Sequence, residues 1–165
     1  MLRRPLSNPR HTLYYTPHFP YATARCVEGY RVLLGIGGNI GDVMRRFNHL
    51  FCYLQRSRWV TILKSSPILK NPPFGYTKQA DFLNAVIEIA TPLRPEALLR
   101  YLLRVEKRFG RRRSFPDAPR TLDIDMIFYE GVTQEREVLT LPHAGWQERD
   151  SVLIPLLCLQ QRGQR

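Results

Sequence analysis

Apolar and polar positions along this chain switch between two periods, and each switch marks an element. Positions 30–36 (YRVLLGI) form an apolar strand. Over 41–56 the spacing becomes helical, with Val43, Phe47, Leu50, Phe51 and Leu54 on one face. Strand spacing returns at 59–66 and again at 81–91. In the latter, Phe82, Asn84, Val86 and Glu88 share one face, and Leu83, Ala85, Ile87 and Ile89 share the other. A second helix opens at Pro95, buries Leu98, Leu102, Val105 and Phe109, and ends at Gly110. Positions 122–129 make a further strand, with Ile124, Met126 and Phe128 directed into a core. A short strand near 138–141 and a helix over about 150–160 close the chain. The order β-α-β-β-α-β predicts an α+β, ferredoxin-like fold. Two helices would cover one face of a four-stranded antiparallel sheet, with a short C-terminal strand and helix added.

Between these elements lie two punctuated stretches. Gly35, Gly37, Gly38 and Gly41 read as a structural turn, with Asn39 capping the next helix and Asp42 favouring its positive end. The turn fits no nucleotide loop. A dinucleotide fingerprint from Gly35 would need glycine where Ile40 stands, and no Gly-Lys-Ser/Thr follows. Positions 67–80 hold three prolines and read as one long loop, a length often tied to function.

The chain has 165 residues, which suits one full-sized core. Its net charge of +11 is concentrated in two places. Residues 1–27 hold Arg3, Arg4, Arg10 and Arg25 and no acid, and residues 100–120 hold eight basic and two acidic residues. Residues 1–28 are therefore expected to be a basic, disordered extension, or residues ahead of the true start, and residues 29–165 a single domain. Four prolines in the extension argue against a transit-peptide helix. Cys26, Cys52 and Cys158 form neither a metal spacing nor a disulfide framework, which points to a reducing cytoplasm. No apolar run reaches the roughly 18–20 residues of a membrane span.

The chemistry is densest at Pro119-Arg120-Thr121-Leu122-Asp123-Ile124-Asp125. Residues two apart on a strand point the same way, so Asp123 and Asp125 project side by side. Two such carboxylates repel unless a cation lies between them. Magnesium suits that place, because hard divalent ions take carboxylate and phosphate oxygens together. Arg111, Arg112 and Arg113 lie in a loop leading into this strand, where planar guanidinium forks can meet phosphate oxygens. Taken alone, that basic run serves a ligand or solubility equally well. Asn84, beside Phe82 on its strand face, suits the donor-acceptor edge of a planar heterocycle or a neighbouring backbone. His143, taken alone, is an ordinary loop histidine.

Together these pieces resemble one family. The set is Gly37-Gly38-Asn39-Ile40-Gly41-Asp42, Pro72-Pro73-Phe74-Gly75, Gln79-Ala80-Asp81-Phe82-Leu83-Asn84-Ala85, then Glu106 through Gly110-Arg111. The Arg-Thr-Leu-Asp-Ile-Asp segment and Leu141-Pro142-His143 with Arg149 complete it. Over about residues 30–160 the chain is similar to 6-hydroxymethyl-7,8-dihydropterin pyrophosphokinases of folate biosynthesis. The resemblance implies a ferredoxin-like fold and transfer of pyrophosphate from ATP to the pterin hydroxymethyl group, with release of AMP. It implies that Asp123 and Asp125 hold two Mg²⁺ ions, and that Arg111, Arg113 and Arg120 act in catalysis. Arg111, Arg120, His143 and Arg149 would bind ATP. Asn71, Phe74, Gly75, Phe82 and Asn84 would bind the pterin, Phe82 by stacking. The implied partners are these two substrates only, with no nucleic acid and no membrane, and a monomer is the expected state.

The chain departs from the family pattern in four places. Gly38 stands where serine is usual, and Asp117-Ala118 replace a tryptophan-glycine in a loop about one residue short. Ala144 follows His143 where an aromatic is frequent. Ser151 stands where a second stacking aromatic would be, with Trp146 as the nearby replacement. Two other readings stay open on the sequence: a non-catalytic relative, and a ferredoxin-like RNA-binding module. The second would need base-stacking aromatics on the central strands, and Val32-Leu33-Leu34-Gly35 and Ala85-Val86-Ile87 do not supply them.

Overall fold

A computed structural model describes residues 1–112 and 115–161. The fold is mixed, with three α-helices against antiparallel sheet. Strands β1 (Leu2–Pro5), β2 (Thr12–Tyr15) and β3 (Tyr21–Ala22) precede β4 (Tyr30–Gly38) and helix α1 (Val43–Gln55). Then come β5 (Thr61–Ser65), β6 (Ile68–Asn71), β7 (Phe82–Thr91), α2 (Pro95–Arg108) and β8 (Asp123–Tyr129). A two-stranded ribbon, β9 (Gln134–Arg136) with β10 (Leu139–Leu141), leads through a 3₁₀ turn at Trp146–Glu148 to α3 (Asp150–Gln161).

The main sheet has eight strands rather than four. Its path runs β1-β2-β6-β7-β4-β8, and β5 pairs with the second half of β7 while β6 pairs with the first. The expected loop at 67–80 therefore begins later. Ile68 and Leu69 are wholly buried, and Ile68–Asn71 makes a strand of its own.

Strands β4 and β7 are apolar at consecutive positions because both of their faces are covered. Leu34 and Ile87 meet α1 and α2 in the larger core, with Phe47, Leu50, Leu98 and Leu102. Their neighbours Leu33 and Val86 face the other way, onto Val152 and Leu159 of α3. Helix α1 starts at Asp42, whose side chain accepts from the Arg45 N–H at 3.0 Å. Asp42 is thus the cap, and Asn39 has a different task.

On β8 the strand pattern breaks once. Leu33 pairs with Phe128 and Leu34 with Met126, so Ile127 is an extra residue. This bulge turns Phe128 away from the core that holds Ile124 and Met126. It packs instead edge-on to Trp146, ring centroids 4.7 Å apart, on the α3 side.

The first 28 residues carry three strands and are not a disordered extension. Leu13 is buried on β2, which pairs with β6. Phe19 is fully buried against Phe47 and Phe51, and His18 stacks on Phe51 at 4.5 Å. Burial of one such phenyl contributes roughly 1.5–3 kcal/mol. The aromatic residues of this segment outweigh its basic, proline-rich composition. Among the described residues, no helix is long and apolar enough to cross a membrane.

Candidate active site

One row of residues crosses three strands and defines the site. Gly37 on β4 lies opposite Asn84 of β7 on one side and Asp123 of β8 on the other. Two positions along, Gly35 lies between Val86 and Asp125. A glycine in a strand often marks close approach by another group. A Cβ at Gly37 would sit 2.6 Å from Asn84 Oδ1, so the alternation of glycines keeps this face open. The glycines read as a turn are largely strand: Gly35, Gly37 and Gly38 belong to β4, and only Gly41, with φ of +68°, turns the chain.

The open face is the floor of a cavity. Asn71, Phe74, Phe82, Asn84, Arg120, Asp123, Asp125, His143 and Arg149 all line it. Nine of the residues expected at the site thus come together. Arg111 lines an adjoining cleft that shares Arg120, both aspartates and Arg149. Gly75 does not reach the cavity; at φ of +75° it packs on Asp117, where a Cβ would lie 2.6 Å from a carboxylate oxygen. Arg113 lies outside the described residues. Trp146 is spent on Phe128 and does not line the cavity, whereas Ser151 does.

At the amide end, Asn84 Nδ2 donates to Asn71 Oδ1 at 2.7 Å, and Asn71 Nδ2 donates to the Pro72 carbonyl at 2.8 Å. Each amide orients the next and leaves the Asn84 oxygen turned toward Gly37. The aromatic faces carry cations: the Arg120 guanidinium is 5.4 Å from the Phe82 ring centroid and that of Arg149 is 5.8 Å from Phe74.

At the acidic end the two aspartates differ. Asp123 is gripped at both oxygens, by Arg111 Nη1 at 2.5 Å and Arg120 Nη1 at 2.6 Å. Among the described residues, no cation comes within 4.0 Å of the Asp125 carboxylate. Burial, and then repulsion from Asp123, raise its pKa above the ordinary carboxylate range, with His143, Arg149 and Arg111 opposing. A deprotonated pair here needs added positive charge. Oxygen donors only, side by side and next to guanidinium groups, fit magnesium carried with phosphate oxygens. Among the described residues no third His, Cys, Asp or Glu joins them. His143 donates from Nδ1 to the Ala144 carbonyl at 2.8 Å, which leaves Nε2 to meet a ligand.

Sequence reasoning missed the parts that hold this set in place. Glu106 is buried on α2 and accepts from both Arg111 Nη1, at 2.5 Å, and the Ile124 N–H, at 2.8 Å. It ties helix, arginine loop and aspartate strand together. Burial raises its pKa, partly offset by the Ile124 N–H and Arg111. For Arg111, burial works downward, but Asp123 and Glu106 outweigh it and hold the pKa up. The signal was an acid four residues after Leu102, on the apolar stripe. Asn39 is a second missed residue. It accepts from the Arg120 N–H at 2.9 Å and donates to Gln79 Oε1 at 2.9 Å and the Ala80 carbonyl at 3.0 Å. Gln79 in turn donates to the Asp117 carbonyl at 2.9 Å, and Tyr76 meets Phe115 edge-on at 5.5 Å. The loop after β6 and the loop after α2 are thereby joined beside the cavity.

Comparison with known proteins places this arrangement. Residues 33–161 match the family described as 7,8-dihydro-6-hydroxymethylpterin-pyrophosphokinase. The chain is 46% identical over 133 residues to a 2-amino-4-hydroxy-6-hydroxymethyldihydropteridine pyrophosphokinase of Helicobacter pylori, covering 79% of this chain and 81% of that one. Its counterpart in Campylobacter jejuni is 42% identical over 127 residues, covering 77% and 81%. That of Bacillus subtilis is 37% identical over 129 residues, covering 77% of each. The chain belongs to the 7,8-dihydro-6-hydroxymethylpterin-pyrophosphokinase family.

Proposed function

We propose that this chain transfers pyrophosphate from ATP to 6-hydroxymethyl-7,8-dihydropterin and releases AMP, a step of folate biosynthesis. The observation that carries the reading is the row Asn84–Gly37–Asp123 across β7, β4 and β8. It puts a heterocycle-reading amide and a metal-type carboxylate on one floor, with one glycine between them.

The pterin lies over Gly35 and Gly37, its polar edge on Asn84 and its face on Phe82, with Phe74 the second aromatic at the cavity. Asn71 fixes the Asn84 amide, and Gly75 lets the loop turn against Asp117. Arg111, Arg113, Arg120, His143 and Arg149 hold the triphosphate. Asp123 and Asp125 would hold two Mg²⁺ ions, which would supply neutralising charge at the phosphates. The hydroxymethyl oxygen forms a bond to the β-phosphorus, and the bond from that phosphorus to the α,β-bridging oxygen breaks. AMP leaves with that oxygen, and the hydroxyl proton passes to solvent. The chain contributes alignment and positive charge from Arg111 and Arg120 where negative charge is displaced. The contacts of Gln79 with Asp117 and of Tyr76 with Phe115 help to exclude water, which would otherwise waste ATP.

The strands and helices between 30 and 129 form a ferredoxin-like core, β1–β3 extend its sheet, and the whole works as one pyrophosphokinase domain, a monomer in the cytoplasm. Mass analysis of a reaction holding Mg-ATP and the pterin tests the activity. Pterin diphosphate and AMP in equal amounts are expected. ATP left intact, or ADP with a pterin monophosphate, contradicts the proposal.

A further inference from the structure

The N-terminal hairpin lies outside the stretch matched by the family model, which starts at residue 33, yet it borders the site. Strand β2 pairs with β6 from Thr12↔Lys70 to Tyr14↔Ile68, and β6 ends at Asn71, the partner of Asn84. The turn between β1 and β2 lies against the far wall of the substrate cavity. There Arg10 and His11 line a second hollow together with Pro72, Phe74, Arg149 and Ser151. Phe74, Arg149 and Ser151 also line the substrate cavity, so one wall separates hairpin from substrate.

Within that wall, and among the described residues, His11 has one acidic side chain within 4.0 Å. It is 6% exposed, an unusual burial for a polar residue in a surface hairpin, and its Nε2 is 3.7 Å from Asp150 Oδ2. Asp150 is the first residue of α3 and directly follows Arg149. The Arg149 carbonyl accepts from the N–H groups of Val152 and Leu153, both at 2.9 Å, so the first turn of α3 fixes the Arg149 backbone. A restraint on Asp150 is therefore a restraint on where the Arg149 side chain begins. We propose that His11 is a positioning residue for Arg149, acting through Asp150 to set the guanidinium at the ATP phosphates. This rests on the assignment of Arg149 to the triphosphate.

The sign of one substitution separates positioning from plain charge. Asp150 is an exposed acid beside a site for a polyanion, so by charge alone its removal tightens ATP binding. If Asp150 holds Arg149 in place, its removal weakens binding instead. Titration of the full chain with Mg²⁺ and a non-hydrolysable ATP analogue reads this directly, with the pterin titrated in parallel. Asp150→Asn and His11→Ala are each expected to raise the analogue Kd roughly threefold to tenfold, the size of one modest polar contact. The double variant is expected to be no worse than either single one, because both remove one link. His11→Gln, which keeps a polar side chain beside Asp150, restores most of the affinity, and pterin affinity stays unchanged throughout. Because Asp150 is exposed, its variant remains informative if His11→Ala does not fold. Tighter or unchanged analogue binding by Asp150→Asn, beside a weakened Arg149→Ala, overturns the inference alone. Unchanged binding by Arg149→Ala overturns the phosphate assignment and the inference with it.

Discussion

Arg120 donates to Asp123 across 2.6 Å, and so covers one of the two oxygens a metal would use. Arg111 covers the other. Arg111 and Arg120 thus neutralise Asp123 between them. Under the proposed function, binding of Mg-ATP exchanges these partners, the arginines passing to phosphate and the carboxylate to metal. Removal of Arg120 splits the two roles. Arg120→Ala is expected to bind Mg²⁺ more tightly in the absence of ATP, while kcat/KM for ATP falls roughly 100-fold, as for loss of one charge-stabilising donor. Magnesium titration of the free protein and steady-state kinetics check the two halves.

Asp125 predicts a trade of stability against function. Its pKa is raised by burial and by Asp123. The folded state therefore holds its proton more firmly than the unfolded state, and loses stability as pH rises through the window between the two values. Asp125→Asn removes that penalty. In chelator at pH 7 the variant is expected to melt roughly 2–4 °C higher, the shift that about 1 kcal/mol gives a domain of this size. Below about pH 4, where the carboxyl is protonated in both states, the gain vanishes. Thermal melts across that range read the effect.

Gly37 should be intolerant in one direction only. A Cβ there meets Asn84 Oδ1 at 2.6 Å. Gly37→Ala is expected to weaken pterin binding roughly tenfold or more, by displacing the amide proposed to read the heterocycle. Affinity for an ATP analogue is expected to be retained. Calorimetric titration with each ligand separates the two.

Phe19 tests the N-terminal segment. It is fully buried beside Phe47 and Phe51. Phe19→Ala is expected to cost about 3–5 kcal/mol in urea unfolding, as for a large core side chain. A segment that did not pack on the sheet would leave the unfolding midpoint unchanged.

The hydrophobic pattern was enough to place α1, α2, β4, β7 and β8, because each helix buries a regular stripe and each of these strands a run of apolar residues. They were not enough for the edges. Strand β6 was hidden because Ile68–Asn71 lies between prolines, whose turn signals dominate at short range. The hairpin was hidden because Leu13 and Phe19 are buried by partners far along the chain, while arginine and proline set the local composition. The bulge at Ile127 left no mark, since both of its faces are apolar. In the site, Asp123 and Asp125 were legible from strand parity alone. The roles of Gly37 and Asn39 were not, because each depends on cross-strand register or on a neighbour forty residues away.

Under the proposed function, the Asp123–Asp125 pair works with the Asn84 floor in one reaction. AMP release from Mg-ATP, with and without 6-hydroxymethyl-7,8-dihydropterin, tests it most directly when wild type is set beside Asp123→Ala, Asp125→Ala and Asn84→Ala. The account predicts AMP from wild type only when pterin is present. It predicts loss of AMP in both aspartate variants, and recovery of Asn84→Ala toward wild type as pterin is raised. AMP formed without pterin, or undiminished in a folded aspartate variant, would contradict it.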